Sequence, residues 1–320
     1  VSRDWSSDVC SSDLVALGAH AAEAPYPNRP VRLVVSGVAG SSNFAARLIA
    51  NGLSGIFGQQ VVVDGREGGV IAAEIAARAA PDGYTLHLNG SALWLLPFMR
   101  SRLPYEPLRD FAPVTLALAT PNILVVHPSL PAKNLNELVA LAKAKQGQLS
   151  FSTSGVYGAL HLPVEMFLHA FKLKMRAVHS TGGGPAITMV LGGHVEMTVG
   201  GPAAISAQAK AGKLRPIIGW GAKRLEGFPE APTFKELGHD IEYYIWAGMF
   251  APKATPEAVI KTLREATKKA VEDADFKTSM ARVNSPINYL DAPEFAKYWA
   301  ADAKRLAEVV KAIGKVEEQK

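Results

Sequence analysis

The feature that most constrains the fold is a repeated order of elements: a short apolar run, a loop of small residues, and a segment with helical periodicity. Residues 31–35 lead through the loop 36–43 into a segment in which Phe44, Leu48, Ile49 and Leu53 recur at helical spacing. Similar alternations continue from Pro25 onward, and they predict α/β layers with largely parallel strands. The proline-rich segment 103–113 interrupts this order and predicts an irregular connection.

Three of the loops share one design, because each follows a predicted strand, is rich in glycine and serine or threonine, and opens a helix. They are residues 36–43, 153–161 and 181–185. Backbone N–H groups and hydroxyls in such loops bind carboxylate or phosphate without a permanent cation, and the helix dipole favours a negative ligand. Three loops of this kind suggest one shared cleft, although at least one of them could be an ordinary connecting turn.

The N-terminal segment differs from the rest of the chain of 320 residues. We expect residues 1–24 to be a non-native fragment followed by the remnant of a secretory signal, because residues 15–24 end in Ala-x-Ala patterns. Without them the chain has 33 basic and 25 acidic residues, a formal charge of +8. The basic residues are spread over predicted helices without a nucleic-acid motif, so small anions are better candidate partners than nucleic acid.

The sequence contains few features that are typical of enzymes, cofactor-binding proteins or metal sites. Cys10 is the only cysteine, and the chain contains no apolar stretch that could cross a membrane and no nucleotide-binding or G-x-S-x-G motif. His161 and Glu165 are four residues apart, as metal ligands can be, but no third ligand fits, so packing or capping is the favoured role. An enzyme that uses Ser91 or Ser154 with a distant histidine remains an alternative.

Segments across about 290 residues resemble the periplasmic solute-binding proteins of tripartite tricarboxylate transporters, the Bug family. The segments are YPNRPVRLVV (26–35), PDGYTL (81–86), LPYEPLRDFAPV (103–114), NLNEL (134–138), GGGPA (182–186), AGKLR (211–215), AKR (222–224), APT (231–233) and GMFAP (248–252). Their order and spacing carry the resemblance more than any single motif does.

The resemblance implies an α/β fold of two lobes, the type II "Venus flytrap" of periplasmic binding proteins, with crossover strands near residues 123–126 and 243–251. The first lobe would comprise residues 25–124 and 248–320, and the second residues 125–247. The implied function is capture of a small carboxylate, without enzymatic activity or a cofactor, and its delivery to membrane permease subunits from the periplasm. A sensor that presents the same carboxylate to a membrane receptor is the alternative.

The resemblance also assigns the glycine-rich loops to ligand binding. The predicted ligand-binding residues are Val38, Ala39, Gly40, Ser41, Ser42, Asn43, Ser91, Ala92, Thr153, Ser154, Gly155, Tyr157, His161, Thr181, Gly182 and Gly200.

Several positions depart from the family pattern in these same loops. The usual Pro-Gly-Gly-x-x-Asp of the first loop is AGSSNF (39–44), and the usual acidic-amide pair is Gly200-Gly201. An aromatic-lysine pair is replaced by Ser180-Thr181, and Trp94 stands where a small residue is usual. A di- or tricarboxylate ligand therefore cannot be assumed, and an aromatic carboxylate is a competitor.

Overall fold

The computed structural model describes residues 25–37, 41–66, 69–91, 93, 96–97, 102–156 and 158–313. Its strands are β1 (Val31–Ser36), β2 (Val61–Arg66), β3 (Thr85–Asn89), β4 (Phe111–Pro121), β5 (Ile123–Val126), β6 (Ser150–Thr153), β7 (Arg176–His179), β8 (Met197–Gly200), β9 (Arg215–Gly219), β10 (Tyr244–Pro252) and β11 (Leu290–Asp291). Its helices are α1 (Ser41–Phe57), α2 (Gly69–Ala77), α3 (Pro107–Asp110), α4 (Leu135–Ala144), α5 (Leu162–Phe171), α6 (Gly183–Leu191), α7 (Pro202–Lys210), α8 (Glu257–Glu272), α9 (Ala274–Arg282) and α10 (Ala292–Ile313).

The strands form two sheets, and each sheet with its helices is one lobe. The first sheet has the order β11-β4-β10-β3-β1-β2, and the second has the order β7-β6-β8-β5-β9. In the first, β1 pairs in parallel with β2 and β3, and in the second β6 pairs in parallel with β7 and β8. Strands β10 and β5 are antiparallel to their neighbours. The predicted two-lobe α/β fold is confirmed.

The chain passes between the sheets next to the two segments predicted as crossover strands. The first passage is at Asn122, the single residue between β4 and β5, and the second lies between β9 and β10. The strands therefore change sheet close to the predicted lobe limits, while the division at 124/125 and 247/248 itself stays a prediction.

Helix α10 makes a third link between the lobes. Its first half packs Phe295 and Trp299 into the apolar cluster around β10, and its second half packs Leu306 and Val310 into the core of the second lobe. The buried Asp302 between them accepts a hydrogen bond of 2.9 Å from the indole N–H of Trp246 on β10.

The first helix packs as its periodicity predicts. Ile49 and Leu53 are fully buried in the first-lobe core, and Phe44 and Leu48 pack against that core while partly exposed. At Gly52 a Cβ would lie 2.8 Å from the Cβ of Ala270, so the absence of a side chain lets α1 and α8 approach closely.

The expectation of an irregular segment 103–113 is wrong for its second half. Residues 107–110 form the short helix α3, and β4 begins directly after it at Phe111. Proline fits the first helical position, and the carboxylate of Glu106 accepts the backbone N–H groups of Leu108 and Arg109. None of the described helices is long and apolar enough to cross a bilayer.

Candidate binding site

A cavity of about 490 Å³ lies between the two lobes. On the first lobe its wall is formed where β1 and β3 end and where α1 and α2 begin, and on the second where β6, β7 and β8 end. Ligands of open α/β sheets bind at the carboxyl ends of the strands, and the volume is in the range of small-molecule sites. The position and the size of the cavity therefore fit a ligand site.

Half of the residues predicted to bind a ligand lie on the wall of this cavity. They come from both lobes and are Ser41, Ser42, Ser91, Ser154, Gly155, Thr181, Gly182 and Gly200. The structure thus brings together loops that are more than 100 residues apart in the sequence. Ligand binding by these residues stays a prediction.

Asn43, Thr153 and His161 were also predicted to contact the ligand, but they lie behind the wall. Asn43 donates a hydrogen bond of 3.2 Å to the Gly37 carbonyl and accepts one from Arg47. His161 is fully buried, and its Nε2 lies 3.2 Å from Glu165 Oε1. These hydrogen bonds and contacts hold the loops in place, and ligand contact by these three residues stays a prediction.

Five further predicted residues lie outside the described part of the chain. They are Val38, Ala39, Gly40, Ala92 and Tyr157. Trp94, which departs from the family pattern, is also outside it.

Two buried hydroxyls of the first lobe face the cavity without a partner. Ser36 Oγ, at the end of β1, and Ser41 Oγ, at the start of α1, have no hydrogen-bond partner among the described residues. An unpaired buried polar group costs about 1–3 kcal/mol, which a ligand atom at hydrogen-bonding distance would recover. The hydroxyls of Ser36 and Ser41 are therefore suited to bind a polar ligand group.

The sequence did not point to Asn89, which also lies on the wall and is held by a buried histidine. His87 Nδ1 donates to the Val34 carbonyl at 3.0 Å, so its Nε2 accepts from Asn89 Nδ2 at 2.8 Å. Burial lowers the pKa of His87 from 6.5 to about 4, which keeps the ring neutral and able to accept. Asn89 Oδ1 accepts the N–H of Gly90 at 2.7 Å. The amide orientation of Asn89 is thereby fixed.

Apolar side chains make up another part of the wall, and the sequence did not single these out as ligand contacts. Val70 and Ile71 come from the first turn of α2, Leu96 follows β3, Ile187 lies on α6, and Trp246 lies on β10. We interpreted Trp246 as a residue that packs in the core or at a hinge. It is fully buried on β10, and it also borders the cavity. Apolar residues at these positions carry no local sequence pattern that distinguishes them from core residues.

Comparison with known proteins identifies the family. The model of the tripartite tricarboxylate transporter family receptor matches residues 45–315. The chain belongs to this family. BugT of Bordetella pertussis is 32% identical over 298 residues, which cover 90% of each chain. The predicted resemblance to Bug proteins is confirmed.

Solved structures of periplasmic binding proteins and of similar chains share the fold. A protein of R. palustris with adipate has a TM-score of 0.86 and 28% identity, and the match covers 90% of this chain and 98% of that one. MatC from Rhodopseudomonas palustris with bound malate has a TM-score of 0.82 and 25% identity over 89% of this chain and 100% of that one. The family and fold are those of periplasmic solute-binding proteins and not of enzymes.

The two lobes of this receptor touch across the cleft at Gly201. A Cβ at Gly201, in front of α7, would lie 2.7 Å from Ser41 Oγ and 3.2 Å from Ser41 Cβ. Farther along α7, Ser206 Oγ donates to the carbonyl of Val283, at the end of α9, at 2.9 Å. Only a residue without a side chain fits at position 201 when the lobes are in this arrangement.

Replacing Thr153 with valine is expected to reduce the free energy of unfolding by about 1 kcal/mol. Valine keeps the shape, but it removes the hydroxyl that lies 2.8 Å from His179 Nδ1 and accepts the Gly155 N–H at 3.2 Å. Urea unfolding measures the change. Thr188→Val is the control, because the exposed Thr188 hydroxyl bonds only within its helix, to Gly184. Equal effects of the two replacements would contradict a supporting role for Thr153.

Proposed function

We propose that this chain is an exported periplasmic solute-binding protein that captures a small carboxylate between its lobes. It delivers the carboxylate to the membrane permease subunits of a tripartite tricarboxylate-type transporter. The observation that carries the proposal is the pair of buried hydroxyls of Ser36 and Ser41 on the cavity wall, which have no hydrogen-bond partner in the described part of the chain. Membership of the receptor family supports the transport role, and the relatives solved with adipate and malate support the class of ligand.

The ligand's carboxylate would be held by hydroxyls and backbone N–H groups from both lobes. Helices α1, α6 and α7 each begin at the cavity, with Ser41 and Ser42, Gly182 and Gly183, and Gly201 on the wall. A helix N-terminus carries about half a positive charge and free N–H groups, and glycine leaves them accessible. This arrangement favours a bound anion that is released intact.

The lobes in this proposal are residues 25–124 with 248–320 and residues 125–247. The two candidate nucleophiles of the enzyme alternative have structural partners: Ser91 Oγ lies 2.7 Å from the Tyr243 hydroxyl, and Ser154 Oγ accepts the Leu160 N–H at 3.3 Å. Burial raises the pKa of Tyr243, so its hydroxyl stays protonated and cannot act as a base at neutral pH. These contacts favour binding without turnover.

A panel of mono-, di- and tricarboxylates is expected to include ligands that raise the melting temperature in a concentration-dependent way. Binding to the folded state alone stabilises it by about 2.7 kcal/mol at one hundred times the Kd. Replacing Ser42, on the wall, with leucine is expected to abolish the shift because the side chain fills the cavity. Asn51→Leu adds the same group to the exposed face of the same helix and is expected to keep the shift. A panel without any shift for the wild type would contradict the proposal.

A further inference from the structure

The side-chain amide of Asn89 joins the first-lobe core to the cavity between the lobes. Asn89 is buried at the end of β3 and borders the cavity. His87 lies two residues earlier on the same face of the strand and is fully buried. The chemistry of the buried ring therefore determines what the amide can offer to a ligand.

A carbonyl of the neighbouring strand sets the polarity of this pair. A backbone carbonyl can only accept, so the proton of the neutral His87 ring lies on Nδ1, 3.0 Å from the Val34 oxygen. Nε2 can then only accept, and it takes an N–H of Asn89 Nδ2 at 2.8 Å. Burial lowers the pKa of His87 to about 4, so this pattern holds at neutral pH.

A reversed amide would lose both of the hydrogen bonds that hold it. Its oxygen would face the lone pair of His87 Nε2, and its nitrogen would face the Gly90 N–H, which now donates to Asn89 Oδ1 at 2.7 Å. An amide nitrogen has two hydrogens, and the described residues supply Nδ2 with one acceptor, His87. The second N–H of Asn89 is therefore available to a ligand, in a direction that the protein fixes beforehand.

Other polar side chains of the described wall differ from Asn89 in this respect. Hydroxyls such as those of Ser42 and Thr181 also border the cavity, but a hydroxyl can rotate to donate or to accept. The indole N–H of Trp246 already donates to Asp302. No charged side chain is found among the wall residues that the structure describes. The held amide of Asn89 is thus a neutral donor that needs no reordering when a ligand binds.

We infer that Asn89 donates this second N–H to an oxygen atom of the captured carboxylate ligand, and that His87 is the residue that positions it. The inference rests on the proposed carboxylate-binding function and deepens it, because it names a ligand contact on the first lobe and the buried residue behind it. A ligand ammonium group has no acceptor for this N–H, so it is disfavoured at this part of the wall.

Nuclear magnetic resonance of the wild type tests the contact without any change to the fold. The probe is whichever of adipate, citrate, hexanoate and phenylacetate raises the melting temperature most. Of the two Nδ2 protons of Asn89, one is expected to shift downfield when the probe saturates the protein, while the proton bonded to His87 stays in place. The nitrogen shifts of His87 are expected to show a protonated Nδ1 and an unprotonated Nε2. Two unmoved Asn89 protons, or the opposite tautomer of His87, would overturn the inference.

A double-mutant cycle with the same probe separates positioning from general support of the fold. Calorimetric titration is expected to show about tenfold or more weaker binding for Asn89→Leu, which lacks the donor. His87→Leu is expected to weaken binding at least about threefold in the wild type and to have no effect in the Asn89→Leu background, because it acts through Asn89. Equal losses from His87→Leu in both backgrounds would overturn the positioning role.

Thr115→Val is the control for loss of a buried hydrogen bond elsewhere in the first lobe. The Thr115 hydroxyl donates to the Leu290 carbonyl at 2.8 Å, and Thr115 does not line the cavity, so the affinity is expected to stay unchanged. Wild-type affinity in Asn89→Leu would overturn the inference and leave the proposed function intact. If none of the four probes binds to the wild type, both are wrong.

Discussion

Replacing Gly201 with alanine is expected to weaken ligand binding about tenfold while changing the free energy of unfolding by no more than about 1 kcal/mol. The new methyl group would lie 2.7 Å from Ser41 Oγ and 3.2 Å from Ser41 Cβ, on the opposite lobe. The backbone of Gly201, with φ −73° and ψ 156°, accepts alanine without strain. The conflict therefore lies between the two lobes and not within either core, so we expect affinity to fall and stability to be largely retained.

Small-angle scattering of the same variant, with and without a saturating carboxylate that stabilises the wild type, measures closure. Gly201→Ala is expected to remain more extended than the wild type when ligand is bound. Gly55→Ala is the control, because Gly55 is an exposed residue of α1 that does not line the cavity, and a Cβ there meets nothing within 4 Å. If Gly201→Ala closes and binds as the wild type does, the contact between Ser41 and Gly201 does not limit closure.

Acidification from pH 6.5 to about 4 is expected to cost about 3 kcal/mol of stability through His87 alone. Burial lowers the pKa of His87 from 6.5 to about 4 in the folded protein. The unfolded chain therefore takes up a proton in this range while the folded protein does not, and stability falls as the pH falls. The stability is fully present above about pH 6.5.

Urea unfolding of the wild type and of histidine variants at pH 7.0 and pH 4.5 separates two contributions to the pH dependence of stability. One comes from His87, and the other comes from the carboxylates that titrate in the same range. His87→Gln is expected to be less stable at pH 7.0, because the contacts with Val34 and Asn89 change, but to lose much less stability on acidification. His169→Gln, at an exposed position, is expected to keep the wild-type pH dependence. Parallel pH profiles of the wild type and His87→Gln would contradict the assignment.

The sequence predicted the architecture and the loops, because both depend on short-range patterns. Alternating strands and helices define the sheets, and runs of glycine and serine mark where strands end, so Ser41, Ser154 and Gly200 were found on the wall. Side-chain direction within a loop depends on packing between elements. Thr153 and His161 were therefore predicted to bind the ligand from their place in a loop, although the sequence could not show that both side chains are fully buried.

Some residues lie on the cavity wall because of contacts with residues that are distant in the sequence. Local sequence patterns could not predict these residues. A hydrogen bond to His87 orients the amide of Asn89. His87 is in turn oriented by a hydrogen bond to the Val34 carbonyl, 53 positions earlier in the chain. Ile71 lies on the wall because of how α2 packs against the first sheet, and its sequence neighbours are as apolar as those of a core helix. Position 201 requires glycine because a Cβ there would meet Ser41 on the opposite lobe. Only the tertiary structure shows this contact.

Helix α10 has a consequence for the way in which the lobes move. Two chain passages would allow the lobes to twist about each other as well as to open. The helix adds a third link, with Trp299 anchored in one lobe and Leu306 in the other. Three links resist torsion, so the easiest motion is bending about a single axis. If the proposed capture involves closure of the lobes, we expect each closing event to bring Gly201 against Ser41 in the same register.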